Sequence, residues 1–219
     1  MKNILQLKKK ASDNWFLRNF DKTSYSLLDK KIINLIKNND LKGNKILEIG
    51  CSDGTKLFQY SKLLMSKINF GVDLSKKAID YGKKKYKNLD LLNISSLEID
   101  KIKYNFDIII CGFFLYQLDR EYIFEQFDLI FNKLNKNGYL IIYDFDPLFN
   151  HTNIDHNHKN LLSFKMSYDE FLKGSGLFEI IYKSKSKIFS KYNKLFKSSD
   201  ISLTLYRKID FRQSYPENI

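Results

Sequence analysis

The stretch of this 219-residue chain whose residue types and spacing favour chemistry is Glu48-Ile49-Gly50-Cys51-Ser52-Asp53-Gly54. It lies between an apolar run, KILEIG, and a segment of helical periodicity. Glycine at such a junction lets the backbone turn sharply and lets a ligand lie against the main chain with no Cβ in the way. The helix that follows offers free N–H groups at its start, which favour negative groups. A P-loop is excluded because no Gly-Lys-Ser/Thr follows, and the dinucleotide fingerprint G-x-G-x-x-G fails because positions 52 and 55 are Ser and Thr. Asp73 closes the next apolar run, INFGVD; taken alone it also fits a helix cap ahead of Ser75.

Further candidates are scattered. Tyr116, Asp144, Asp146 and His158 are of types that orient or deprotonate a nucleophile. Their plainer readings are a packing aromatic for Tyr116, a turn or cap after a strand for the two aspartates, and a solvated loop for His158. His151, His156 and His158 share the segment 146–163 with Asp155, but no metal ion is invoked. Cys51 and Cys111 have no His or acid placed in sequence to activate them and read as small packing residues. Lysines at 183, 185, 187, 191, 194 and 197 alternate with Phe189, Tyr192 and Phe196, a pattern that can meet an anion but more often is a solvated connection.

The elements that must position these residues are legible as alternating strands and helices. From Lys45 the chain reads KILEIG, a helix near 54–65, INFGVD, a helix over 75–86, LDLLN, FDIIIC, a helix of roughly 119–135, and YLIIYDF. Ile108-Ile109-Ile110 and Leu140-Ile141-Ile142 do not alternate with polar residues, as expected for parallel strands covered on both faces. Residues 24–39 carry an amphipathic helix; Trp15, Phe16 and Arg18 lie ahead of it in a lid or brace. Beyond Pro147, residues 146–163 show few structure formers, Ser167 and Glu170 suggest a capping box, and FEIIYKSKS and ISLTLYRKI read as an antiparallel closing pair. The expectation is a doubly wound, mostly parallel seven-stranded α/β sheet with an antiparallel C-terminal strand pair, divided into an N-terminal lid or helical element at 1–40, a domain at 41–210 and a tail at 211–219.

Composition narrows the function. The net charge is +12, and 33 Lys stand against 4 Arg. Arginine is the residue suited to bidentate phosphate and base recognition, so the excess is of the less specific kind. With 25 Ile, 20 Asn, 2 Ala and 2 Pro, the bias matches A/T-rich coding more than selection for nucleic acid. No run approaches the roughly 20 apolar residues of a membrane span, and the start, MKNILQLKKK, lacks a signal-peptide core, so the chain is expected to be cytoplasmic.

Together the loop, the second acid and the strand order resemble class I S-adenosylmethionine-dependent methyltransferases over about residues 45–146. Glu48, Gly50, Cys51, Ser52 and Gly54 fit that family's first motif, with Ser52 in place of its usual middle glycine. The resemblance implies a ribose-binding role for Asp73 and Leu74, an adenine contact at Asn93 and Ile94, and backbone near Cys111 and Gly112 facing the methionine part of the cofactor. Asn93 replaces the usual aspartate there. It further implies S-adenosyl-L-methionine as cofactor, no metal, and methyl transfer to an oxygen or nitrogen of a small molecule, with sugars or surface-glycan precursors suggested by analogy. Trp15, Phe16, Arg18, Tyr116 and Asp146 would bind that acceptor, and His158, Asp144 or Tyr116 would serve catalysis. Cys111-Gly112-Phe113-Phe114 stands where base-methylating enzymes carry [DNS]-P-P-[YFW], so no specific nucleic acid is expected. A monomer or homodimer is expected, with a non-catalytic cofactor-binding module or an RNA methyltransferase as the alternatives.

Overall fold

The apolar runs become a sheet because each has a buried partner on both sides. The computed structural model describes residues 2–20, 27–155, 159–189 and 198–210. Strands β1 (Lys45–Ile49), β2 (Ile68–Val72), β3 (Asp90–Leu92), β4 (Phe106–Gly112) and β5 (Leu134–Phe145) are parallel in the spatial order β3-β2-β1-β4-β5. A short antiparallel hairpin, β6 (His151–Ile154) and β7 (Leu162–Lys165), follows β5 outside the main sheet. The main sheet continues through β9 (Ser198–Lys208), antiparallel to β5, and ends on β8 (Phe178–Phe189), antiparallel to β9. The seven-stranded, mostly parallel sheet and its antiparallel closing pair are as the sequence predicts.

Successive residues of the central strands serve opposite cores. Ile46, Ile108, Ile110 and Ile141 pack with helices α2 (Leu27–Asn38), α3 (Thr55–Leu64) and α4 (Lys76–Lys85). Leu47, Ile109, Leu140 and Ile142 pack on the other face with α5 (Ile123–Lys133) and α6 (Asp169–Gly174). The middle positions of these strands are therefore covered from both faces, which is why their central runs are apolar.

Two local expectations are corrected, and the N-terminal lid or helical element is specified. The polar N-terminal stretch is a helix, α1 (Lys2–Asn19), lying against α4, where Phe16 meets Tyr81 and Phe20. The segment 146–163, read as lacking structure, contains the β6–β7 hairpin. The capping box predicted from Ser167 and Glu170 is absent: Tyr168 occupies the cap of α6 without a side-chain bond. A complete capping box forms elsewhere, between Ser95 and Glu98, at the head of a 3-10 turn spanning Ser96–Lys101.

Candidate active site

A cavity of about 590 Å3 opens at the carboxyl ends of β1, β2 and β4 and is roofed by α1. In open α/β sheets this edge, near the point where the strand order reverses, is where ligands bind. Its floor is the loop after β1. Gly50 sits at φ +78°, and a Cβ there would stand 3.0 Å from the Cβ of Phe114, so only glycine keeps both the turn and the close approach. Gly54, at φ +77°, starts α3 and packs against Leu89 and Leu91, shaping the loop from behind without reaching the cavity.

Ser52 takes a left-handed conformation, φ +52°, without being glycine. Its N–H donates to Asp73 Oδ2 at 2.9 Å, and the Ser75 N–H donates to Asp73 Oδ1 at 2.7 Å. The Asp73 carboxylate thus ties the first loop to the end of β2 and keeps acceptor capacity toward the cavity it lines. Burial pushes its pKa up, against the lowering effect of those two N–H donors. Apolar surface from Leu74, Ile94 and Leu97, flanked by Ser95 and Ser96, makes a slot suited to a flat ring with polar edges. Close-approach glycine, carboxylate and slot fit a nucleoside with a charged tail, and S-adenosylmethionine, with its ribose diol and adenine, is such a molecule.

The remaining predicted residues divide sharply. Trp15, Cys51, Gly112 and Tyr116 line the cavity. Phe16 does not: it is buried between α1 and α4, a packing residue. Arg18 is exposed at the end of α1, away from the lining. Glu48 and Cys111 are buried in β1 and β4 behind the cavity wall. Asn93 also stays behind it: its Nδ2 donates to the carbonyls of Asp73 and Leu74, both at 3.0 Å, bracing the turn after β2. Burial raises the thiol pKa of both cysteines, which agrees with a packing role.

The two aspartates of β5 and its end face away from the cavity. Asp144 is 1 % exposed and accepts backbone N–H bonds from Phe145 at 2.7 Å and Tyr116 at 3.3 Å. It holds the 3-10 turn Leu115–Gln117 that forms one cavity wall, and burial lifts its pKa to about 7. Asp146 is buried and paired with Lys183 at 2.7 Å and Lys185 at 3.0 Å. Those two lysines therefore belong to β8 and an ion-pair cluster, not to a solvated connection between strands. Tyr116 accepts at its hydroxyl from Gln117 Nε2 at 2.8 Å, and burial pushes its pKa up, so it acts as a neutral phenol. His158 lies outside the described residues.

The roof is the N-terminal element expected as a lid or helical piece. Residues 4, 5, 8, 11, 12, 15 and 19 of α1 all face the cavity. That is helical spacing, but the stripe mixes Ile4, Leu5 and Trp15 with Lys8, Ser12 and Asn19, so it carries no apolar periodicity. Two contacts pin the helix. Lys8 Nζ reaches Asp119 Oδ2 at 2.9 Å and the Gln117 carbonyl at 3.0 Å, and Asp13 Oδ1 accepts from Ser75 Oγ at 2.7 Å and Lys77 N at 3.0 Å. Asp13 so satisfies a free N–H in the first turn of α4, a site that favours negative charge.

A doubly wound sheet closed by an antiparallel pair, with a glycine turn after β1 and an acid after β2, is the architecture of Rossmann-like methyltransferases. A family model described as a methyltransferase domain matches residues 40–196, and the chain belongs to that family. The uncharacterized protein RP028 of Rickettsia prowazekii (strain Madrid E) is 34 % identical over 103 residues, covering 45 % of this chain and 41 % of that protein. The chain thus matches less than half the length of that relative. Among solved structures, the Burkholderia thailandensis 1,6-didemethyltoxoflavin-N1-methyltransferase, with 1,6-didemethyltoxoflavin and S-adenosylhomocysteine bound, superposes with a TM-score of 0.70 at 12 % identity, covering 95 % of this chain and 89 % of its own. The N-methyltransferase NodS of Bradyrhizobium japonicum WM9, in complex with S-adenosylhomocysteine, gives 0.62 at 15 % identity over 95 % and 98 %. TehB of Haemophilus influenzae gives 0.63 at 16 % over 90 % and 67 %. At such identities the likeness is one of fold.

Proposed function

We propose that this chain transfers a methyl group from S-adenosylmethionine to an oxygen or nitrogen of a small molecule. The observation that carries the reading is the roofed cavity at the sheet edge, with Gly50 at its floor and the Asp73 carboxylate in its wall. Gly50, Cys51, Ser52 and Gly112 hold the methionine part, Asp73 and Leu74 the ribose, and Ile94 with Leu97 the adenine. Glu48, Gly54, Asn93 and Cys111 shape that site from behind. The sulfonium supplies an already activated methyl group, so the protein's task is to place a nucleophile in line and exclude water.

Tyr116 and Trp15 border the acceptor space, and α1 is the lid over it. Asp144 acts on that space through the turn it holds. A cavity of about 590 Å3 shared by cofactor and acceptor leaves room for a small molecule rather than a polymer. The solved N-methyltransferase of this fold with 1,6-didemethyltoxoflavin bound supports the same scale of acceptor. Calorimetry with S-adenosylhomocysteine tests the cofactor half of the proposal: binding supports it, and saturating nicotinamide dinucleotide should neither bind nor compete. Methyl transfer from labelled cofactor to small acceptors tests the other half, and cofactor binding without any turnover would instead identify a regulatory module.

A further inference from the structure

Five non-glycine residues among those described have positive φ: Asp40, Ser52, Met65, Phe113 and Asn137. Of these, Ser52 and Phe113 line the cavity. Ser52 turns the loop that Asp73 holds. Phe113, at φ +52°, is a bulky aromatic in the left-handed region, where such a residue is strained and persists only when its surroundings fix it. The turn alone would be better served by glycine, so what the position retains is the ring.

The surroundings that fix it are specific. The Phe113 N–H donates to the Tyr143 carbonyl at 2.7 Å, and its ring packs on Tyr143 with centroids 5.0 Å apart and edge-on to Phe145 at 5.7 Å. Phe145 also meets Tyr116 edge-on at 5.1 Å. Phe113 and Tyr116 are thus braced from behind by one ring and share a stretch of cavity wall. Tyr116 accepts from Gln117 at its hydroxyl and keeps its own O–H proton to donate. The other sides of this end are aliphatic. Lys8 is bonded to the Gln117 carbonyl, so the first turns of α1 bring Ile4 and Leu5 to the same end. Arg120 donates to the Leu118 carbonyl at 2.7 Å and stands 5.1 Å from the Phe164 ring of β7, which sets Leu161 and Leu162 there as well.

Resting on the methyl-transfer reading, we propose that Phe113 is the acceptor's platform and that the acceptor is a planar aromatic ring, with the Tyr116 hydroxyl at a polar atom on its edge. Contact between two rings adds to the gain from burying their area, and a saturated ring of the same size has no π face to offer. A sugar would press hydroxyls against Ile4, Leu5, Leu161 and Leu162 with no partner for them, which disfavours glycan precursors. In the transfer, a lone pair on an oxygen or nitrogen of the ring forms the bond to the methyl carbon. The methyl–sulfur bond breaks with its electrons kept on sulfur, and the acceptor's proton passes to water.

The test uses the full chain saturated with S-adenosylhomocysteine and titrated calorimetrically with flat probes and their saturated counterparts: catechol and 1,2-cyclohexanediol, 2-naphthol and decahydro-2-naphthol, uracil and 5,6-dihydrouracil, with glucose beside them. The expected result is that at least one flat probe binds, roughly tenfold or more tighter than its counterpart, and that glucose does not bind. Phe113→Leu, which keeps an apolar side chain without the ring, should remove most of that preference, and Phe113→Tyr should keep it. Phe113→Gly, which relieves the backbone, replaces the leucine variant should that one fail to fold. Failure of S-adenosylhomocysteine itself to bind would overturn the methyl-transfer reading and this one with it. Cofactor binding followed by no binding of any flat probe, by equal or stronger binding of the saturated probes or glucose, or by a preference that survives loss of the Phe113 ring would overturn the aromatic acceptor alone.

Discussion

Asp73 and Asp144 are both buried acids at strand ends, yet their surroundings give them different work. Asp73 faces the cavity, so Asp73→Ala should weaken S-adenosylhomocysteine binding by roughly 1.5–3 kcal/mol, about ten- to a hundredfold, as charged hydrogen bonds do. Because burial raises its pKa, affinity should begin to fall on acidification at a higher pH than for an ordinary aspartate. Calorimetry across pH checks both. Asp144 lies behind the wall with its pKa lifted to about 7. Its protonated form is the one the fold prefers, so the associated stability is full below the unfolded carboxyl range and is lost as pH rises through about 7. Melting temperature should therefore drop between about pH 4 and pH 7, and Asp144→Asn should flatten that slope; an unchanged slope would show that other groups set it. The sequence located Asp73 because an acid after the second strand has one place to go. It misassigned Asn93, Phe16 and Asp146, because whether a polar or aromatic side chain faces a cavity or a neighbouring backbone depends on contacts far away in sequence.

At the scale of elements, strands were easier to read than the pieces that enclose the site. The central strands announce themselves by burial on both faces, and the helices of the sheet by one apolar side each. Helix α1 has no such signature, since it faces a cavity that wants polar and apolar groups together, and the β6–β7 hairpin is half exposed along its length. The helix is visible in the spacing of 4, 5, 8, 11, 12, 15 and 19 along the first twenty residues, whereas the hairpin has no such period. The two pins of α1 make a prediction at this scale. Lys8→Ala removes the contacts to Asp119 and Gln117 and should cost about 1 kcal/mol of roof closure, seen as a several-fold faster release of S-adenosylhomocysteine in stopped-flow measurements. Bound S-adenosylhomocysteine should in turn slow tryptic cleavage within the lysine run at 8–10.

Over the whole molecule, the lysines whose burial is described are exposed or half-buried, while six carboxylates and two lysines line the cavity. None of the described helices is long and apolar enough to cross a membrane. Duplex DNA and structured RNA should associate with the exterior without sequence preference, and the binding should collapse between about 50 and 200 mM salt as counterion release dictates. Nanomolar binding of one sequence that survives that range would contradict this expectation. The pinning of α1 bears on timing as well as shape. The helix bridges the turn after β4 and the start of α4, so the two banks of the sheet edge are joined above whatever lies between them. Release of spent cofactor is expected to require undoing at least one of those joints. The enzyme's clock is then expected to run on exit, with a burst of methylated product on the first turnover and a slower steady pace afterwards.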